Sequence, residues 1–449
     1  MIRVRQLPNG NPSGFAGQRP KRDSSGSQNE SSTGRFCARS AMFSFSKVFL
    51  AKDEYTIREA RQIAKNMRYS QPNANGNRHS MPVTFLVTSM GLALVGMVNP
   101  SSAAAATVTV PVKAGGEGIQ KALDHLPKGG EVLLRPGTYV VRQPIILRHP
   151  HQSLRGAGPA TVLFLADNAN CPVVILGNPL AKAGGPTTDL RLSDLAIDGN
   201  RANQQRELWR SATDGGLINN NGVNVWDADG VTVERVVCCR CRSGGMVTAG
   251  RTRRLTVREL TAFDNQFDGL ACYLTEDSHF SQLSLHDNQA AGISLDLNFV
   301  HNVIEGAVLA GNDLGIFMRQ SRNNKFERLT IEKSRHHGVF MAQTGVRVAS
   351  GWQPCPGTEC TGNSFGKILI AGCGGKAFVV NDASCTDNVI DSGQFYDNAQ
   401  GGLSQAGANV VTVRALVERQ TPVAADPQAP APLPSQKDPD PDLAGLQAL

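Results

Sequence analysis

Past about residue 107 the apolar residues fall in short clusters, often alternating with polar ones, and each cluster closes on Gly, Pro, Asn or Asp. EVLLRPGTYVV, PIILRHPHQSLRGAG, TVLFLADNANCPVVILGN and DLRLSDLAIDGN read as successive short strands. After residue 221 the pattern becomes a repeat. Gly222, Gly245, Gly269, Gly292, Gly315 and Gly338 are spaced 23, 24, 23, 23 and 23 residues apart. The residue after each glycine is apolar (Val223, Met246, Leu270, Ile293, Ile316, Val339). The residue two further on is mostly apolar too (Val225, Thr248, Cys272, Leu295, Met318, Met341). That is the inward face of a strand with period two. A second strand follows in each repeat: VTVERVV, LTVREL, FSQLSL, VIEGAVL and FERLTI. The turn before the next glycine carries Asp264-Asn265, Asp287-Asn288, Asn312 and later Asp397-Asn398. Asparagines stacked in such turns can hydrogen-bond from one repeat to the next.

Helical repeats are the rival for a regular period. Here the segments are too β-branched and too often interrupted to hold helix pairs. The pattern therefore predicts an all-β, single-stranded, right-handed parallel β-helix over residues 107–419. A short helix should precede it, because Ile119, Ala122, Leu123 and Leu126 share one helical face before Pro127 and Gly129-Gly130. Such a helix caps the open end of a solenoid. Two stretches depart from the repeat: 198–221, with Trp209, and 345–362, with Trp352 and PCPGTEC. From residue 420 to 449 the chain is rich in Pro, Ala and Asp without apolar periodicity, and reads as a disordered tail.

Charge changes this picture only by its distribution. The formal net charge is +7, yet residues 1–106 hold 14 of the 45 Lys+Arg and only 5 of the 38 Asp+Glu. The repeat region is close to neutral, so the basic balance is no sign of nucleic-acid binding. Residues 82–98, PVTFLVTSMGLALVGMV, follow Arg68, Arg78 and His79 and precede a run of small residues. This order is that of a secretory signal peptide over 67–106. A membrane anchor is the alternative, but the alanine-rich exit favours cleavage and leaves no stable membrane span. Residues 1–66 read as an unstructured or misassigned N-terminal extension. The expected destination is secreted or periplasmic.

Ten cysteines in an exported chain invite disulfides. Cys355 and Cys360, bracketing a Pro/Gly turn, are the expected pair. No spaced Cys and His pairs indicate a metal site.

The repeat also aligns side chains that face outward, about 4.8 Å apart from rung to rung. The fourth residue after each glycine gives Trp226, Ala249, Tyr273, Asp296, Arg319 and Ala342. Its centre places a phenol, a carboxylate and a cation on three adjacent rungs, so Tyr273, Asp296 and Arg319 are the candidate catalytic set. Trp226, Asn224, Asn298, Arg251, Trp209 and Trp352 are candidates for holding a substrate, since aromatic faces suit sugar rings. Opposite charges also stack across strands for modest stability alone.

The segments EGIQKALDHLPKGGEVLLRPGTYVV, SLRGAGPATVLFL and LSDLAIDGN resemble the pectate-lyase-like β-helix superfamily. TAFDNQFDGLACYLTEDSHFSQLSLHDNQAAGISL is similar to the catalytic module of mannuronan C5-epimerases and related uronate lyases, and the resemblance covers roughly residues 107–413. Those epimerases carry a Tyr-Gly-Phe-Asp-Pro-His stretch where this chain has GGMVTAGR. Their second catalytic aspartate falls where Tyr273 stands, and Asp296 appears one rung later. The resemblance implies an enzyme on a uronate-containing polysaccharide, a polysaccharide lyase or C5-epimerase. Calcium is a possible cofactor, because pectate lyases often use it. The alternatives on this scaffold are a glycoside hydrolase, which needs a carboxylate pair, and a non-catalytic carbohydrate-binding or adhesin protein.

Overall fold

A computed structural model describes residues 106–179, 185–210, 217–348, 351–408 and 410–421. The expected N-terminal extension, nearly all of the signal peptide and most of the C-terminal tail lie outside them. The described chain is a right-handed parallel β-helix. Its strands run from Thr107–Val110 to Leu416–Arg419, and they stack mainly into a front sheet of 14 strands and a back sheet of 18.

The register follows the glycine repeat. Val223 pairs with Met246, Met246 with Leu270, Leu270 with Ile293, Ile293 with Ile316, and Ile316 with Val339, all in parallel. All six side chains are fully buried in one continuous core. Each such burial stabilises by roughly 1.5–3 kcal/mol. The repeat therefore works because the same inward position is refilled with a large apolar group on every rung.

The glycines are there for want of space. A Cβ on Gly269 would lie 2.8 Å from Asn288 Nδ2 and 3.0 Å from the carbonyl oxygen of Gly292. A Cβ on Gly292 would meet Asn312 Nδ2 at 2.8 Å and Gly315 O at 3.0 Å. Neither glycine has a positive φ; what excludes a side chain is the next rung.

Those asparagines form the expected ladder. Asn265 Nδ2 donates to Asn288 Oδ1 at 2.9 Å, and Asn288 Nδ2 to Asn312 Oδ1 at 2.9 Å. A second ladder runs through a different corner: Asn302 to Asn324 at 3.2 Å, Asn324 to Asn363 at 2.9 Å, and Asn363 to Asn388 at 3.0 Å. All seven are buried. A buried amide is tolerated only when its donors and acceptors are met, and here the next rung meets them.

The cap is an α-helix over Gly115–Asp124, with Ile119, Ala122 and Leu123 buried against the first rungs. Among the described residues no helix is long and apolar enough to cross a membrane.

Both departures from the repeat are hairpins. Leu208–Arg210 pairs antiparallel with Leu217–Asn219, and Ile218 and Trp209 pack on Ile146, Ile175 and Trp226 at the outer face of the front sheet. Gly345–Val348 pairs antiparallel with Gly351–Pro354. Trp352 lies on the latter strand, and its side chain is outside the described set.

Candidate functional site

The outward column stands in register as expected: Trp226 beside Ala249, Tyr273 beside Asp296, and Arg319 beside Ala342. Asp296 ends the strand Ala291–Asp296, and Arg319 ends Leu314–Arg319 on the next rung. The two form an ion pair. Arg319 Nε and Nη2 lie 2.9 and 2.5 Å from Asp296 Oδ2. Asp296 Oδ1 accepts the N–H of Leu297 at 2.8 Å. The guanidinium also lies over the Phe317 ring, 5.2 Å from its centroid, a favourable cation–π placement. The side chains of Arg319 and Asp296 are only 5% and 3% exposed, so this carboxylate and cation are held in place out of bulk water.

Tyr273 is half-buried beside them. Its backbone is fixed: its N–H donates to Thr248 Oγ1 at 2.9 Å, and its carbonyl accepts from Thr248 and Thr275 hydroxyls. The residue after each column position takes a left-handed conformation on five consecutive rungs. These are Asp227, Gly250, Leu274, Leu297 and Gln320, with φ between 46° and 67°. A branched side chain there costs roughly 1–2 kcal/mol, and Leu274 and Leu297 follow Tyr273 and Asp296 directly. Strain of this kind is retained where a tight corner must aim a side chain.

The substrate-binding candidates divide into three groups. Asn298 lies at the exit corner next to the pair. Its Oδ1 accepts from Arg322 Nη2 at 2.7 Å and Gln320 Nε2 at 3.3 Å. The 345–362 insertion reaches this corner, since Arg322 Nη1 donates to Gly357 O and Gln320 N–H to Thr358 O. Arg251 is exposed on an earlier rung. Asn224 is buried rather than surface-facing, with Oδ1 accepting from Asn221 Nδ2 at 2.9 Å, and it serves the fold around the first hairpin. Trp226 is three rungs from Asp296, about 14 Å at the strand spacing. Trp226 and Trp209 are committed to the isoleucine cluster beneath that hairpin.

Asp227 was not picked out by the sequence. Burial pushes its carboxyl above the usual carboxylate range, partly offset by a hydrogen bond from the Arg251 backbone. It too is three rungs from Asp296, beyond the roughly 5–10 Å that a hydrolase pair needs. The only local signal was an aspartate directly after a column tryptophan. Among the described residues no three His, Cys, Asp or Glu side chains are grouped to hold a metal ion.

Cys355 and Cys360, the pair expected from the sequence, stand as separate thiols with different partners. Cys355 is tied by its N–H to Thr344 O, within the insertion. Cys360 points instead into the core, where its N–H donates to Cys385 Sγ at 3.4 Å. Nearness in sequence is a poor guide here because the rung brings together residues about one repeat apart.

Residues 221–415 match the family model of the right-handed β-helix region, over the stretch where the glycine repeat runs. Part of the chain is similar in sequence to a mannuronan C5-epimerase. It is 29% identical over 187 residues to mannuronan C5-epimerase AlgE3 of Azotobacter vinelandii, a match covering 39% of this chain and 10% of that protein. The chain thus spans about a tenth of that relative's length. Among solved structures, Geobacillus virus E2 ORF18 superposes with a TM-score of 0.52 at 14% identity, over 70% of this chain and 62% of that one. The A-module of mannuronan C-5 epimerase AlgE6 of Azotobacter vinelandii gives a TM-score of 0.47 at 19% identity, over 68% and 95%.

Proposed function

We propose that this chain is an exported enzyme that binds a uronate-containing polysaccharide along its front sheet and acts on it by lyase-type or epimerase-type chemistry. The observation that carries the reading is the Tyr273–Asp296–Arg319 column. It sets a phenol beside a fixed carboxylate–guanidinium pair on three adjacent rungs, in a chain that is similar over 187 residues to a mannuronan C5-epimerase.

Both reactions begin by breaking the C–H bond α to the uronate carboxylate. The developing enolate needs a nearby positive charge, and the proton needs an acceptor. Arg319 supplies the charge, and Asp296 holds its guanidinium in orientation. Tyr273 exchanges the proton. In a lyase the elimination then breaks the glycosidic C–O bond, and the leaving oxygen takes a proton. In an epimerase a proton returns to the other face of the same carbon.

Tyr273→Phe and Asp296→Asn should each lower turnover by about 100-fold or more, the scale of a lost acid–base or charge-stabilising group. The assays are ultraviolet absorbance of unsaturated products and proton NMR of the uronate anomers, on polymannuronate and polygalacturonate. Unchanged turnover in both variants removes this site.

A second reading, a non-catalytic glycan-binding β-helix, is favoured by the near-complete burial of the Asp296–Arg319 pair. Binding of the same polymers with no turnover in the unsubstituted protein selects it.

A further inference from the structure

Cys360 and Cys385 are 25 residues apart in sequence and sit on neighbouring rungs. Both are fully buried. The N–H of Cys360 donates to Cys385 Sγ at 3.4 Å, which sets the Cys385 sulfur against the Cys360 backbone. Their backbones are pinned by a single amide: Asn388 Nδ2 donates to the carbonyls of Cys360 and Cys385, each at 3.0 Å. On the same rungs Gly362 N–H donates to Thr386 O, and Asn363 Nδ2 to Asn388 Oδ1. Not every buried cysteine is held this way. Cys171, for example, is buried with its thiol pushed up to about 12 by desolvation, and no hydrogen bond offsets it.

We propose that Cys360 and Cys385 are a disulfide site, closed when the chain folds under oxidising conditions, that fastens the end of the 345–362 insertion to the next rung. The oxidant is a small-molecule or protein disulfide. One cysteine thiolate attacks it, forming a mixed disulfide and releasing one thiol. The second cysteine thiolate displaces the remaining half, and the protein S–S bond forms as the oxidant's bond is fully reduced to two thiols. Neither sulfur is exposed, so exchange takes place while the rung closes.

The bond matters for the insertion. Cys360 Sγ lies 3.6 Å from the carbonyl oxygen of Ala342, the last residue of the outward column. The inference stands whether or not the column is catalytic.

The test is refolding of the full chain with oxidised and reduced glutathione, followed by acid quench, alkylation without reduction, and peptide mapping. Trypsin should yield residues 348–367 joined to residues 377–414, with two fewer alkylated thiols than the reduced control. The joined species should persist in Cys355→Ser and disappear in Cys360→Ser. A Cys355–Cys360 loop within 348–367, or full alkylation of Cys360 and Cys385 after oxidative refolding, overturns the proposal. If a variant fails to fold, fragmentation of the joined species from the unsubstituted chain decides the matter: the alkyl group should sit on Cys355, and an alkyl group on Cys360 overturns the proposal.

Discussion

Asn288→Ala tests the claim that the ladders are structural struts. Asn288 is fully buried, and its side chain enters four hydrogen bonds. Its Oδ1 accepts from Asn265 N–H at 3.2 Å and from Asn265 Nδ2 at 2.9 Å. Its Nδ2 donates to Ala262 O at 3.0 Å and to Asn312 Oδ1 at 2.9 Å. Alanine strands the Asn265 N–H in a closed corner and removes one donor from the Ala262 carbonyl, which stays within a strand paired on both sides. Asn312 Oδ1 still accepts the N–H of residue 288, and Asn265 Nδ2 keeps its longer bond to Cys238 O. A stranded buried polar group costs roughly 1–3 kcal/mol, which is the expected loss. Equilibrium urea unfolding measures it, and hydrogen exchange at the Asn265 amide should accelerate in step, because that N–H loses its acceptor. Asn381→Ala is the control: this asparagine is exposed, and the change should stay within about 0.5 kcal/mol. If Asn288→Ala is as mild as the control, the ladders are decoration and the account of the rung corner is wrong.

Gly269→Ala should destabilise by about 1–3 kcal/mol through overpacking against Asn288 and Gly292, read as a lower urea midpoint; a neutral result contradicts the close-approach argument. Arg319→Met should cost roughly 3–5 kcal/mol by leaving Asp296 buried without its cation, and pairing it with Asp296→Asn should recover much of that, read in a double-mutant cycle. Equal losses in the single and double variants would show that the ion pair is not the relevant contact. Burial, with the nearby charges of His336 and Lys376, holds His337 below the usual histidine range. Its Nδ1 accepts the N–H of Lys376 at 2.9 Å, so the folded protein needs the neutral ring. The unfolded chain therefore binds the proton first: this stability is present above about pH 6.5 and is lost as pH falls toward the lowered folded value. His337→Gln should flatten that part of the stability–pH profile, and a curve parallel to the wild type counts against it.

The rungs were readable because one glycine recurs at one spacing, and that spacing fixes the inward positions on either side of it. The first asparagine ladder was readable for the same reason, lying just ahead of the glycine. The second was not, because Asn302, Asn324, Asn363 and Asn388 are spaced 22, 39 and 25 residues apart. The order of the column followed from alternation alone. Its burial did not, since alternation says which way a side chain points and nothing about what surrounds it. Trp226 and Asn224 show the same limit: both face away from the core, yet the hairpin Leu208–Arg210/Leu217–Asn219 takes up the space in front of them. The contact between Cys360 and Cys385 was not legible from nearness in sequence, because it joins residues one turn of the coil apart.

The step from Asn324 to Asn363 spans 39 residues, and that from Asn302 to Asn324 spans 22, yet the amides meet at 2.9 and 3.2 Å. The scaffold does not register how much chain leaves between them. A lineage can lengthen, shorten or replace the 345–362 segment without disturbing the struts on either side, so the surface at this corner and the folding of the coil can change independently. For protein engineering it is a graft point already in use: the segment to exchange is bounded by Ala342 and Asn363, and the Cys360–Cys385 contact lies at its closing end.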